Sequence, residues 1–196
     1  MNRPNLHLCD FDGTLYQGNS LLQYLWFSVP AGRLFGVACR LGLRFVGRLL
    51  KRKWAHAEDK QWLLAILFKG RTQQEMLASG AAFARKEIPP AIRPALLHTL
   101  QTAQTAGDRV VIVSASLSLW LRPYAENLGF ELICTELAFE NGVFTGQFAL
   151  PNCNREEKVH RITEAIPLSD YEKVIAYGNP GGDDAMFTLA DEVFRF

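Results

Sequence analysis

Between Gly13 and Ala57 the chain has no aspartate and no glutamate. Over the same stretch it carries Arg33, Arg40, Arg44, Arg48, Lys51, Arg52 and Lys53. That segment is therefore +7, and with a net charge of +1 for all 196 residues the remainder stands at −6. The overall balance implies no polyanion partner, but charge separated in this way marks a surface with a function. Cysteine is also sparse: Cys9, Cys39, Cys134 and Cys153 are widely spaced and form no CxxC pair. A zinc site or disulfide framework is thus not expected, and Cys9 and Cys134, in apolar strand-like runs, read as buried free thiols. The leading residues lack a charged segment followed by an apolar one, so no signal peptide is expected. Arginines 33, 40, 44 and 48 interrupt every apolar stretch before it reaches the roughly 20 residues that span a bilayer. No internal repeat or low-complexity tract is present.

What remains suits a globular protein with a sizeable core, since 48% of residues are hydrophobic and 21% charged. The apolar pattern predicts a buried strand over 6–10, then helix almost throughout 20–86, with breaks at Val29-Pro30, near 55–58 and at Lys69-Gly70. Pro89-Pro90 ends that region. A helix is expected over 92–106, a β-branched strand over 109–113, a helix over 117–128 and a strand over 131–134. Asn141-Gly142 between 136–139 and 143–148 signals a hairpin. A helix over 156–166, a strand over 173–177, a helix over 184–190 and an edge strand over 193–196 complete the pattern. Strands alternating with helices after residue 90 imply a parallel sheet covered on both faces. The expected fold is α/β, a Rossmann-like sheet formed by 1–15 and 90–196, with a helical cap, 16–89, inserted after the first strand.

In such a sheet, ligands bind beyond the carboxyl ends of the strands. The first strand ends at Asp10-Phe11-Asp12-Gly13-Thr14. Two carboxylates two residues apart can face one reacting centre, one attacking while the other handles a proton, with a cation offsetting their repulsion. The strand from Arg109 ends at Ser114-Ala115-Ser116, read here as a hydroxyl and free N–H groups at a helix start that suit a phosphate. Lys158 falls early in a helix, and the strand from Lys173 ends at Gly178-Asn179-Pro180-Gly181-Gly182-Asp183-Asp184. Each segment has a plain alternative: an acidic turn, a helix cap, a solvated lysine, a turn. Their convergence on one sheet edge favours a site.

This ordered set, Asp10-Phe11-Asp12-Gly13-Thr14, Val110–Ser114, Lys158 and Gly178-Asn179 to Asp183, resembles the haloacid dehalogenase superfamily of phosphohydrolases along the whole chain. The insertion after the first motif resembles the phosphoserine-phosphatase-like branch. The resemblance implies a phosphomonoester hydrolase in which Asp10 is the nucleophile, forming an aspartyl-phosphate, and Asp12 the general acid and base. It further implies Mg²⁺ held by the Asp10 carboxylate, the Asp12 carbonyl and Asn179. Ser114, Ala115 and Lys158 would bind phosphate, with Asp183 in support and Asp183 or Asp184 compensating a departure: the family usually carries aspartate where this chain has Asn179.

The helix expected over 31–53 places Arg33, Arg40, Arg44, Arg48 and Lys51 on one stripe at about 100° per residue. Leu34, Phe35, Ala38, Leu41, Phe45, Val46, Leu49 and Leu50 fill most of the remaining circumference. A broad apolar arc beside a cationic stripe has the pattern of an interfacial membrane helix, and Trp26, Trp54 and Trp62 are residues that favour the headgroup region. The alternative is a cap helix packed on its neighbours. Aliphatic neighbours of the arginines argue against nucleic acid. Here the chain is also similar, more diffusely, to bacterial lipid phosphatases of the phosphatidylglycerophosphatase C type. That similarity implies a lipid-linked phosphomonoester and peripheral contact with the anionic inner face of the cytoplasmic membrane. A soluble phosphatase for a small metabolite such as phosphoserine, and a catalytically weak binding protein, remain as alternatives. Oligomeric state has no signature in the sequence.

Overall fold

The computed structural model describes residues 3–37 and 57–196. Five parallel strands form one sheet in the order β3-β2-β1-β6-β7. They are β1 Leu6–Cys9, β2 Arg109–Leu117, β3 Glu131–Thr135, β6 Val174–Gly178 and β7 Glu192–Arg195, while β4 Leu137–Glu140 and β5 Val143–Phe148 form a separate antiparallel hairpin. Asn141 and Gly142 turn that hairpin with positive φ at both positions, the backbone that an Asn-Gly pair tolerates best.

β1 lies at the centre and is buried along its whole length. Its alternation explains why: Leu6 and Leu8 face one layer, with Val111, Val113, Ala176, Ile162 and Met186. On the other face Cys9 joins Val110, Ile112 and Tyr177. His7, on that second face, is buried yet satisfied, with Nδ1 at 3.1 Å from the Tyr177 hydroxyl and Nε2 at 3.2 Å from Asp108. Cys9, Cys134 and Cys153 are buried free thiols, as expected of the first two.

The helices Pro94–Thr105 and Ser118–Leu128 pack on the sheet, and Ser20–Ser28, Ala57–Phe68 and Gln73–Lys86 join the same buried cluster. Their starts follow from local chemistry. Asn19 accepts from the Leu22 N–H at 3.0 Å, and Thr72 with Glu75 forms a reciprocal capping box. Tyr24, Leu64, Leu67, Phe68, Met76 and Phe83 do not form a core of their own. They belong to the same buried cluster as Phe11, Leu100, Ile112 and Trp120. The two connections to the sheet run side by side, with the Gln17 N–H donating to the Ala91 carbonyl at 2.7 Å and the Arg93 N–H to Leu15 at 2.9 Å. Of the helix expected over 31–53, residues 31–37 are helical, and Arg40, Arg44 and Arg48 lie outside the described residues.

Two expected boundaries are corrected. β2 runs on to Leu117, with a register shift against β3 between Ser114 and Leu117, and the following helix, Ser118–Leu128, starts there. Ser114 and Ala115 are therefore strand residues, not a helix start, because the β-branched run continues into small residues that still fit the ladder. The last helix spans only Asp184–Phe187.

Gly80 lets the helix Gln73–Lys86 sit directly on the backbone of the helix Ser118–Leu128: a Cβ there would lie 2.2 Å from the Leu119 carbonyl oxygen. Gly80→Ala would gain about 1 kcal/mol of helix propensity, but the clash is with backbone that has no rotamer to yield. We expect a net loss of roughly 1–3 kcal/mol in denaturant unfolding; unchanged or increased stability would show that the two helices can separate freely.

Candidate active site

The carboxyl ends of β1, β2 and β6 open onto one cavity of about 650 Å³. As the chain leaves β1, the Asp10 N–H extends the ladder to the Tyr177 carbonyl at 2.9 Å, and the Tyr16 N–H closes the following loop on the Phe11 carbonyl at 2.8 Å. Phe11 is buried between Tyr16 and Tyr124, while Asp10 and Asp12 on either side of it line the cavity. Gly13 makes the turn with φ +83°, and any Cβ there would press to 2.8 Å from the Asn179 side chain.

Lys158, on the helix Glu156–Ala165, is 1% exposed. Its Nζ donates to Asp10 Oδ1 at 2.6 Å and to Asp183 Oδ1 at 2.6 Å. Burial by itself lowers the proton affinity of this ammonium, but the two carboxylates outweigh burial and hold it above its ordinary value. Burial raises the Asp10 carboxyl above the usual carboxylate range, against the pull of Lys158. Asp183 is also tied through Oδ2 to the Asn179 backbone N–H at 2.8 Å, so it orients Lys158 from the β6 end.

Asp12 is held separately. Its Oδ1 accepts from the Ser20 N–H at 2.7 Å, and its Oδ2 accepts from the hydroxyls of Ser20, at 3.1 Å, and Ser116. Burial raises this carboxyl, and those hydrogen bonds oppose the rise. Ser114 is buried and accepts from the Ser116 N–H at 3.1 Å. Ser114 and Ala115 both line the cavity.

Several site residues had no motif to reveal them. Lys60, from the helix Ala57–Phe68, enters the cavity and donates to the Ala115 carbonyl and to Asn152 Oδ1, the latter at 3.0 Å. Burial lowers its ammonium to about 8, with Asp12 acting in the opposite direction. Arg93 donates from Nε to the Thr14 carbonyl at 2.9 Å and lines the cavity beside Phe196. A lone lysine in a helix and a lone arginine after a Pro-Pro turn carry no sequence signal of such placement.

Asn179 lies beside Asp12 as expected, but its amide Nδ2 donates to the Asp12 carbonyl at 3.0 Å. Two of the expected metal ligands are thus bonded to one another, which an aspartate, lacking a donor, could not do. Among the described residues no three His, Cys, Asp or Glu side chains group as a metal cluster. The donor set nevertheless fits a hard cation: a carboxylate, a backbone carbonyl and an amide whose oxygen replaces its nitrogen by half a turn of the side chain. Asp184 is corrected: it is exposed, accepts from the Gly181 N–H at 3.1 Å and does not line the cavity. Arg33 is exposed on the surface and does not line it either.

The chain belongs to the haloacid dehalogenase-like hydrolase family, whose pattern it matches over residues 8–187. It is 31% identical to Protein CicA of Caulobacter vibrioides (strain NA1000 / CB15N) over 195 residues, which is 97% of this chain and 85% of that protein. A solved protein of unknown function from Bordetella pertussis Tohama I superposes with a TM-score of 0.81 at 22% identity, covering 98% of this chain and 89% of that one. A phospho-aspartyl intermediate analogue of phosphoserine phosphatase superposes with a TM-score of 0.63 at 17% identity, covering 98% and 86%. These likenesses place the fold with the phosphoserine phosphatases.

Lys60 yields a pH prediction. Its ammonium binds its proton more weakly folded, at about 8, than unfolded, at 10.5. Between those values the unfolded chain holds the extra proton, so this residue makes stability rise with pH. From about pH 8 to about pH 9.5 the wild type should gain roughly 2 kcal/mol relative to Lys60→Met in denaturant unfolding. Parallel curves for the two proteins would refute it.

Proposed function

We propose that this hydrolase is a Mg²⁺-dependent phosphomonoesterase that works through an aspartyl-phosphate on Asp10 and acts on a lipid phosphate at a membrane surface. The observation that carries the chemistry is the pairing, across one cavity, of the buried Asp10–Lys158–Asp183 cluster with a second carboxyl, Asp12, held by its own donors. Two carboxyls in different surroundings can take the two roles that phosphoryl transfer needs.

In the first step an Asp10 oxygen attacks phosphorus and the ester P–O bond breaks. The departing oxygen keeps the electron pair and takes a proton from the Asp12 carboxyl. In the second step the Asp12 carboxylate takes a proton from water as the water oxygen attacks phosphorus. The bond to Asp10 breaks, inorganic phosphate leaves, and both carboxyls return to their starting states. Lys158 sits against Asp10 and is placed to balance charge on the transferring group, and the Ser114–Ser116 end of β2 offers a hydroxyl and N–H groups beside it. Mg²⁺ bound by the Asp10 carboxylate, the Asp12 carbonyl and the Asn179 amide would supply the charge neutralisation that phosphoryl transfer requires.

The lipid reading is supported by the segment between the two halves of the sheet. From 13 to 57 it carries seven basic residues and no acid. Trp26 is 68% exposed and Phe35 72%, with Trp62 and Ile66 also exposed, an outer surface rich in residues that favour a bilayer interface. Among the described residues no helix is long and apolar enough to cross a membrane. The polar cavity would take the phosphate headgroup while the chains stay in lipid. A small-metabolite reading draws on the fold shared with phosphoserine phosphatase.

The test is phosphate release from phosphatidylglycerophosphate in mixed micelles beside phosphoserine, with and without Mg²⁺. We expect release that chelation abolishes and that falls about a thousandfold or more in Asp10→Asn, with kcat/KM at least about tenfold higher for the lipid. Preference for phosphoserine would return the basic segment to cap packing and sink the lipid reading. Release that survives Asp10→Asn would sink the mechanism.

A further inference from the structure

The fixing of Asp12 reaches further than the cavity wall. Ser20 opens the helix Ser20–Ser28, on the inserted segment, and Ser116 lies at the end of β2, on the sheet. Their hydroxyl oxygens are 2.9 Å apart, and both converge on Asp12 Oδ2. Behind them stands Trp120, fully buried, whose Nε1–H donates to the Ser20 hydroxyl at 3.0 Å. Its indole is gripped by rings from the inserted helices, with centroids 4.7 Å from Tyr24 and 5.7 Å from Phe83.

Proton accounting gives this cluster a direction. An indole N–H can only donate, so the Ser20 oxygen is an acceptor toward Trp120 and must send its single proton onward. The acceptors within reach are Asp12 and Ser116. Ser116, in turn, has its proton directed to Asp12. With Oδ1 taken by the Ser20 N–H, both carboxyl oxygens have fixed partners, and the plane of the carboxyl is set by residues from two different parts of the chain. Removing one donor from this buried network loosens the setting of that plane.

We propose that Trp120, Ser20 and Ser116 are positioning residues for the Asp12 carboxyl, aiming it at the leaving oxygen of the ester and making that aim depend on the inserted helices being docked on Trp120. The inference rests on the reading of Asp12 as the group that protonates the leaving oxygen. It adds what holds that group in place: a hydrogen-bond chain anchored on a core tryptophan that the inserted segment must cover.

A positioning role differs from a packing role in its dependence on the leaving group. A nitrophenolate departs without needing a proton, whereas an alkoxide does not. The measured quantity is the ratio of kcat/KM for a simple alkyl phosphate to that for p-nitrophenyl phosphate. Trp120→Phe keeps the ring and removes the donor; Ser116→Ala removes a hydroxyl that Ser116→Thr retains. We expect the ratio to fall roughly five- to tenfold in Trp120→Phe and Ser116→Ala, as the loss of one buried hydrogen bond implies, and to recover in Ser116→Thr. Thermal midpoints monitor folding, and Ser20→Ala carries the same readout if Trp120→Phe does not fold. Equal losses on both esters, or an unchanged ratio, overturn the proposal and leave Trp120 as packing. Failure of the wild type to cleave these esters and phosphatidylglycerophosphate alike overturns instead the phosphomonoesterase reading beneath it.

Discussion

One ammonium buried between two carboxylates organises this molecule. Lys158 has almost no contact with water, so its charge is tolerable only because Asp10 and Asp183 lie at 2.6 Å on either side. Those partners come from the ends of β1 and β6, adjacent strands whose register is set by pairing from Leu6 with Val174 to Cys9 with Tyr177. Removing Lys158 would leave two carboxylates facing one another in the interior without their cation. The sheet, the helix Glu156–Ala165 and the turn after β6 are thus bound to one another through the same atoms that face the cavity. Stability of the fold and geometry of the site share a single constraint here.

The inserted helices are joined to this arrangement by packing rather than by charge. Tyr24 and Phe83 flank Trp120, Phe68 packs on Tyr24, and the buried cluster runs from those rings to Phe11 and Ile112. Gly80 brings two helices to backbone contact at the same place. From the inserted segment Lys60 then reaches the cavity, and Ser20 holds the Asp12 carboxyl at its wall. Apolar burial supplies the docking energy, and the directional bonds at the rim give it a consequence for the site.

Much of this was legible in the order of residues. The alternation of Leu6-His7-Leu8-Cys9, the β-branched run from Arg109 and the Asn141-Gly142 turn led to the parallel sheet and the hairpin that the structure contains. Asp10, Asp12, Ser114, Lys158, Asn179 and Asp183 were each marked as strand-end or early-helix residues, and all of them line the cavity. Asp184 was offered as a compensation for the charge missing at Asn179, and helix geometry turns it to solvent. The end of β2 was misplaced because serine and alanine carry little propensity of their own, and pairing with β3 decided the matter.

Local chemistry therefore determined which segments become strands and helices, and which ends of those strands carry carboxylates, hydroxyls and a lysine. Periodicity and turn residues act over a few positions and are written in the chain itself. Only the tertiary structure decided that Lys60, Arg93, Ser20 and Trp120 join them, through contacts distant in sequence: Lys60 is 55 residues from Ala115, and Ser20 is 100 from Trp120. Contacts of that separation depend on how helices dock on a sheet. Docking is set by the summed shape of many apolar side chains, of which no single residue type gives notice.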